Sequence, residues 1–208
     1  MRLNLFSAIR LASKVHTGQW RFDGNEYIEH PLSVLSLLWE LSLDLPMDVY
    51  IAAVLHDVLE DTDLTYEDLY ERVGNDIAAV VRVLTKDEVY YNLPEAKRER
   101  MYLQRIQSLS IHFPYALLIK MIDRLHNVRT SRFLTPQKRN MLLNQTMQLY
   151  IPILHDHIST LSGPIKEIYS KCEDQLQQSI EVAGQISIET PHSPTTISYV
   201  SLLMTPSL

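Results

Sequence analysis

The sequence predicts an all-α domain, and three observations carry that expectation. Glycine is scarce, 5 residues in 208 where about 7% is usual, which leaves little material for a turn-dense β-sandwich or a Gly-rich phosphate loop. Apolar residues recur at three- and four-residue spacing along most of the chain, the period of a helix buried on one face. Pro31, Pro46, Pro94, Pro114, Pro136 and Pro164 each stand near the opening of such a run, where a missing N–H is tolerated.

Taken in order, Leu3, Phe6, Ile9, Ala12 and Val15 form an amphipathic helix ending near Gly18. The period is lost over residues 17–29, an aromatic loop that carries Arg21. A second helix opens at Pro31 and continues through Leu35, Leu38 and Trp39 to about Leu43. Residues 46–60 are apolar almost all round, which predicts one helix at the centre of the core. Thr65 with Asp68 makes a capping-box-like start for a short helix ending at Gly74, and Asn75 opens another through Leu84. After a loop over 86–93, a charged helix covers 94–110 and a more apolar one 114–131. Pro136 starts a further helix, interrupted near Pro152, and Gly163-Pro164 precede the last, which is expected to end near Gly184. Residues 1–184 therefore read as one domain, and the Ser/Thr/Pro-rich 185–208 as a mostly disordered tail.

Composition narrows the function. With 19 Lys+Arg against 25 Asp+Glu, the formal charge is −6, the wrong sign for a broad nucleic-acid or anionic-membrane surface. An anionic ligand would have to be met locally. The single cysteine, Cys172, excludes an intramolecular disulfide and a Cys-based zinc site. No apolar run has the length of a membrane span. The expectation is a soluble, cytoplasmic protein that binds a small molecule.

The chemistry concentrates in 46–61, where His56-Asp57 and Glu60-Asp61 interrupt an apolar run. On one continuous helix, His56 with Glu60 and Asp57 with Asp61 are i, i+4 pairs and share a polar face. Burying such groups uncompensated costs on the order of several kcal/mol each, and a divalent cation offsets that cost by coordination. Asp123, Asn127 and Thr130 follow i, i+4, i+7 on the 114–131 helix, and His30 stands at the start of the second helix. Mixed imidazole and carboxylate donors suit Mn²⁺, Fe²⁺ or Zn²⁺ better than Ca²⁺ or Mg²⁺. Lys120, Arg124 and Arg129 lie on the Asp123 helix and offer positive charge to a phosphorylated ligand.

His30, His56-Asp57 and Asp123 match the H…HD…D pattern of the HD phosphohydrolase superfamily. Within it, the stretches HTGQWRFDGNEYIEHPLSV, AAVLHDVLEDTDLT, VRVLTK, KMIDRLHNVRT and QLYIPIL resemble the hydrolase domain of the RelA/SpoT alarmone enzymes over residues 16–154. The resemblance implies a helical HD bundle in which His30, His56, Asp57 and Asp123 hold one Mn²⁺. It implies that Glu60 and Asp61 position or deprotonate the attacking water, that Arg21 packs on the purine, and that Asn127 and Thr130 contact the nucleoside. The implied reaction removes the 3′-pyrophosphate of guanosine tetra- or pentaphosphate, in a short form of the family without the synthetase domain. Phe22 stands where that family commonly has a basic residue, and Glu26 where it has proline. These departures keep one alternative, another nucleotide substrate such as an adenine alarmone or the 2′-phosphate of NADPH; a non-catalytic nucleotide-binding module is a further reading, against which the intact His/Asp set and the Glu60-Asp61 pair argue. The remaining histidines, at 16, 112, 126, 155, 157 and 192, read as non-ligands.

Overall fold

The computed structural model describes residues 4–87, 89 and 92–189. Eleven α-helices are present among them: α1 (Leu5–Val15), α2 (Glu29–Leu41), α3 (Met47–Val54), α4 (Val58–Asp61), α5 (Tyr66–Val73), α6 (Asn75–Leu84), α7 (Glu95–Leu109), α8 (Ala116–Arg129), α9 (Pro136–Gln145), α10 (Ile151–Thr160) and α11 (Gly163–Glu189). A 3₁₀ turn (Ser131–Phe133) follows α8, and a π-helical stretch (Thr146–Tyr150) joins α9 to α10. No helix among the described residues is long and apolar enough to cross a membrane.

Local chemistry explains the boundaries. Asn4 caps α1 by accepting from Ser7 N, Thr65 caps α5 through Asp68 N, and Thr135 caps α9 through Lys138 N with Pro136 in the first turn. Pro152 lies in the first turn of α10, and the preceding wide turn absorbs the hydrogen bond that proline cannot donate. The 17–29 segment folds back on itself through an isolated Trp20–Glu26 bridge, with Arg21 N donating to Asn25 O at 2.9 Å and Tyr27 N to Gln19 O at 2.9 Å. Gly24 turns this hairpin at φ 85°, a conformation L side chains adopt with strain.

At the centre lies α8, buried from Ala116 through Leu125 and packed on α2, α6, α7 and α11. The core it organises includes Leu38, Ile51, Leu103, Leu118, Ile122 and Tyr169. Fully burying each such side chain contributes roughly 1.5–3 kcal/mol, so the polar groups α8 carries are fixed by the packing of their neighbours.

Two sequence expectations are corrected. Residues 46–60 are not one helix: α3 stops at Val54, Leu55 and Asp57 adopt φ/ψ near −100°/0°, and α4 starts afresh at Val58. His56 and Glu60 therefore do not share a continuous helical face; apolar periodicity alone is blind to such a turn. Likewise α11 runs through Gly184 to Glu189, because nothing at Gly184 forces the left-handed conformation that ends a helix. The expected disordered tail from 190 on lies outside the described residues.

Candidate active site

The break after Val54 turns His56 into the core, where it is 2% exposed and its Nδ1 lies 2.8 Å from Ala53 O. With Nδ1 donating to that carbonyl, Nε2 carries the lone pair whenever the ring is neutral. Nε2 is buried and has no hydrogen-bond partner among the described residues, although Asp57 Oδ2 lies 3.0 Å and Asp123 Oδ1 3.9 Å away. From the start of α2, His30 Nε2 approaches Asp123 Oδ1 at 3.1 Å and Asp57 Oδ2 at 3.4 Å. His30, His56 and Asp123 present donor atoms all within 4.8 Å of one another, every one of the three residues buried. Asp57 stands at their edge. Two imidazoles and two carboxylates converging with one nitrogen unsatisfied are a donor set that fits a divalent cation.

Electrostatics agree with that fit. Burial works against charge on both Asp57 and Asp123, yet the neighbouring histidines and, for Asp123, Lys120 hold both carboxyls well below their ordinary range. Burial alone would depress the His56 imidazole, but the carboxylates of Asp57 and Asp123 outweigh it and raise His56 to about 9. A proton on Nε2 and a cation held beside it would neutralise the same two carboxylates, so the two would compete.

The side chains of this cluster are oriented from behind. Lys120 Nζ donates to Asp123 Oδ2 at 2.8 Å, and Asn127 Nδ2 to Asp123 Oδ1 at 2.7 Å. His30 Nδ1 lies 2.7 Å from His126 Nδ1. Burial, His30 and Arg21 push His126 down to about 3, so it is neutral and its Nδ1 accepts the His30 proton. Arg21 Nη2 donates to Asn127 Oδ1 at 3.0 Å, which brings the hairpin loop onto the Asp123 helix. Thr130 caps α8 one turn further on, its hydroxyl donating to His126 O at 2.9 Å.

Glu60 and Asp61 are held differently. Glu60 Oε2 accepts from Lys86 N at 3.2 Å, with Lys86 Nζ 3.8 Å from Oε1. Asp61 Oδ2 accepts from the Tyr27 hydroxyl at 2.5 Å, and the same hydroxyl lies 2.7 Å from Asp57 Oδ2. One phenolic proton thus serves two carboxylates, and burial followed by these charges raises the Tyr27 phenol far above its usual value. Gln19 Nε2 donates to Asp61 O at 2.6 Å, and His16 stacks on Tyr27 with ring centroids 4.5 Å apart.

Lys120 and Arg124 border a cavity of ≈ 920 Å³ that opens beside Asp123 and Asn127 and is also lined by Lys86 and Lys138. Neither reaches out as a surface charge. Lys120 is spent on Asp123, and Arg124 donates to Thr146 Oγ1 at 2.7 Å, Gln145 Oε1 at 2.5 Å and Leu142 O at 3.2 Å, with Cζ 4.1 Å from the Tyr150 ring centroid. A position on a helix face does not reveal such partners. Reasoning from sequence also overlooked Tyr27 and His126 as orienting groups, though both sit inside the matched stretches GNEYIEHP and DRLHN.

Comparison with known proteins follows the same outline. A profile of the HD domain matches residues 8–156. The chain is 36% identical over 165 residues to the bifunctional (p)ppGpp synthase/hydrolase SpoT of Escherichia coli K12, covering 75% of this chain and 22% of that protein. It is 38% identical over 149 residues to the guanosine-3′,5′-bis(diphosphate) 3′-pyrophosphohydrolase of Aquifex aeolicus, covering 71% and 20%. The chain thus spans about a fifth of the length of these curated relatives. Among solved structures, a metazoan ortholog of SpoT described as hydrolysing ppGpp superposes with a TM-score of 0.65 at 24% identity, over 82% of this chain and 94% of that one, a likeness of fold. With the profile spanning most of the folded chain and the His-Asp pair set in the turn between α3 and α4, this chain belongs to the HD-domain family.

Proposed function

We propose that the chain is a Mn²⁺-dependent pyrophosphohydrolase that removes the 3′-pyrophosphate of guanosine tetra- and pentaphosphate, giving GDP or GTP and pyrophosphate. The observation that carries this reading is the buried His30/His56/Asp123 trio with Asp57 at its edge, set beside the Glu60-Asp61 pair and a cavity bordered by Lys86 and Lys138. Relatives at 36–38% identity carry the name of this activity.

His30, His56, Asp57 and Asp123 would hold the cation, which when bound acidifies a water and neutralises phosphoryl oxygens. Asp61 receives the proton of the attacking water; its Tyr27 hydrogen bond orients the carboxylate without neutralising it. Water oxygen adds to the phosphorus on the ribose 3′ oxygen, that P–O bond breaks, and the 3′ oxygen leaves with a proton relayed through Glu60 or Asp61. Arg21, fixed by Asn127, presents its guanidinium plane to the purine. Thr130 retains acceptor capacity for the nucleoside. Lys120 and Arg124 act behind the site, holding Asp123 and the α8–α9 junction respectively.

Phe22 favours keeping a second nucleotide in view, because its ring lies 4.9 Å from the Arg21 guanidinium where a second cation would otherwise stand. The test is a panel of guanosine tetraphosphate, its adenine counterpart and NADPH with the purified chain and Mn²⁺, separating pyrophosphate from orthophosphate release. Pyrophosphate from the guanosine substrate at the highest kcat/KM supports the proposal. A preference for NADPH with orthophosphate release, or no turnover of any of the three, overturns it.

A further inference from the structure

On the far side of the turn that ends α8 lies a second cleft, of ≈ 280 Å³, walled by the 3₁₀ turn, α9 and α11. It is lined by Arg129, Arg132 and Arg139 together with Ser131, Gln178 and Ser179, and no carboxylate lines it. None of the residues placed at the metal centre borders it. Three arginines converging without an acid in a chain of net charge −6 is already a local inversion of the protein's charge balance.

Burial makes that convergence more specific. Arg139 is only 6% exposed, and its Nε and Nη1 are buried with no hydrogen-bond partner among the described residues. Ser131 Oγ, 1% exposed, is likewise buried and without a partner. A buried guanidinium with unmet donors is costly, on the order of several kcal/mol, and buried donors are nearly always satisfied. Arg129 is pre-positioned rather than consumed: its Nε lies 3.3 Å from Ser179 Oγ and its Nη2 3.2 Å from Gln175 Oε1, which pins it to α11 beside the cleft. Arg132, exposed and resting over Phe133 with Cζ 4.7 Å from the ring centroid, guards the mouth.

We propose that this cleft is an anion site for a phosphoryl group, lined by Arg139 and Ser131, whose buried polar atoms lack partners, together with Arg129 and Arg132. The planar guanidinium fork matches phosphoryl oxygens two at a time, and the cleft is large enough for a free phosphate ion or one terminal phosphate of a nucleotide. The site requires neither the metal centre nor turnover.

Titration calorimetry on the full chain, treated with EDTA so that no cation recruits phosphate to the histidine-aspartate cluster, tests this with inorganic phosphate and with GDP at matched ionic strength. Binding of either is expected, weakened at least about tenfold in Arg139→Met and about threefold in Arg132→Gln. Phosphate binding that weakens in Arg139→Met identifies a free ion as the occupant; GDP binding that weakens in the same variant, without phosphate binding, identifies a nucleotide phosphate. Should Arg139→Met fail to fold, as judged by circular dichroism, Ser131→Ala and Arg132→Gln carry the test. No binding of either probe, or binding indifferent to all folded variants, overturns the proposal, and neither outcome bears on hydrolysis at the metal centre.

Discussion

Asp123 and Asp61 show how one site is built from two kinds of scaffold. Asp123 lies in the middle of the fourteen-residue α8, 5% exposed, with both oxygens engaged by Lys120, Asn127 and His30. Asp61 ends the four-residue α4 at the protein surface, tethered by a tyrosine hydroxyl and a glutamine amide. The Asp123 carboxylate is thus positioned by the core and kept anionic by Lys120 and the neighbouring histidines. Asp61, to which we assign proton handling, sits on a short element where water reaches it. On the proposed roles, ligand geometry and proton transfer would be divided between rigid and solvent-facing parts of the molecule.

The largest effect is expected where the core side is broken. Asp123→Asn removes a ligand and leaves Lys120 buried without its counter-charge, a loss of about 3–5 kcal/mol. Thermal unfolding should report that loss, Mn²⁺ titration should show no specific binding, and turnover should fall to background. Breaking the surface side should look different. Asp61→Asn or Glu60→Gln is expected to lower kcat by about 10²–10⁴-fold with the melting temperature unchanged, and full activity in both variants would remove the proton-handling role. Tyr27→Phe lies between the two halves, because its hydroxyl touches Asp57 and Asp61. A loss of about 10–100-fold in kcat or Mn²⁺ affinity is expected, read by steady-state kinetics and calorimetry.

The smallest effect concerns stability beside the site. Burial opposes ionisation of Glu99, but Lys86 and Lys120 and the hydrogen bond from the Tyr150 hydroxyl hold its carboxyl below the ordinary range. A folded-state value below the unfolded one stabilises the protein above about pH 4.5 and loses that contribution as pH falls through the folded value. Glu99→Gln should therefore be less stable than the natural chain by about 1–2 kcal/mol at pH 7, with the gap narrowing on acidification below pH 4.5. Denaturant unfolding at pH 7 and pH 4 measures it, and a gap that widens at low pH contradicts the assignment.

The core half of this division was the more legible in sequence. Long periodic runs announced α1, α2, α6, α7 and α8, and the motif residues His30, His56 and Asp123 do converge. What escaped was local: the turn at 55–57 that splits the expected central helix, and the hydroxyl of Tyr27 that bridges two carboxylates. Hydrophobic period records which side of an element is buried, whereas a turn inside an apolar run changes direction without changing polarity. The partners of Lys120 and Arg124 depend on which distant helices pack against α8, a tertiary fact with no local sequence signal.

The division of labour is tested most directly by titrating Mn²⁺ into Asp61→Asn while following pyrophosphate release from guanosine tetraphosphate. Natural-like Mn²⁺ affinity with turnover lowered at least about 10²-fold is the result expected if metal holding and proton handling are separate. Loss of Mn²⁺ binding together with activity, or retention of both, would contradict it.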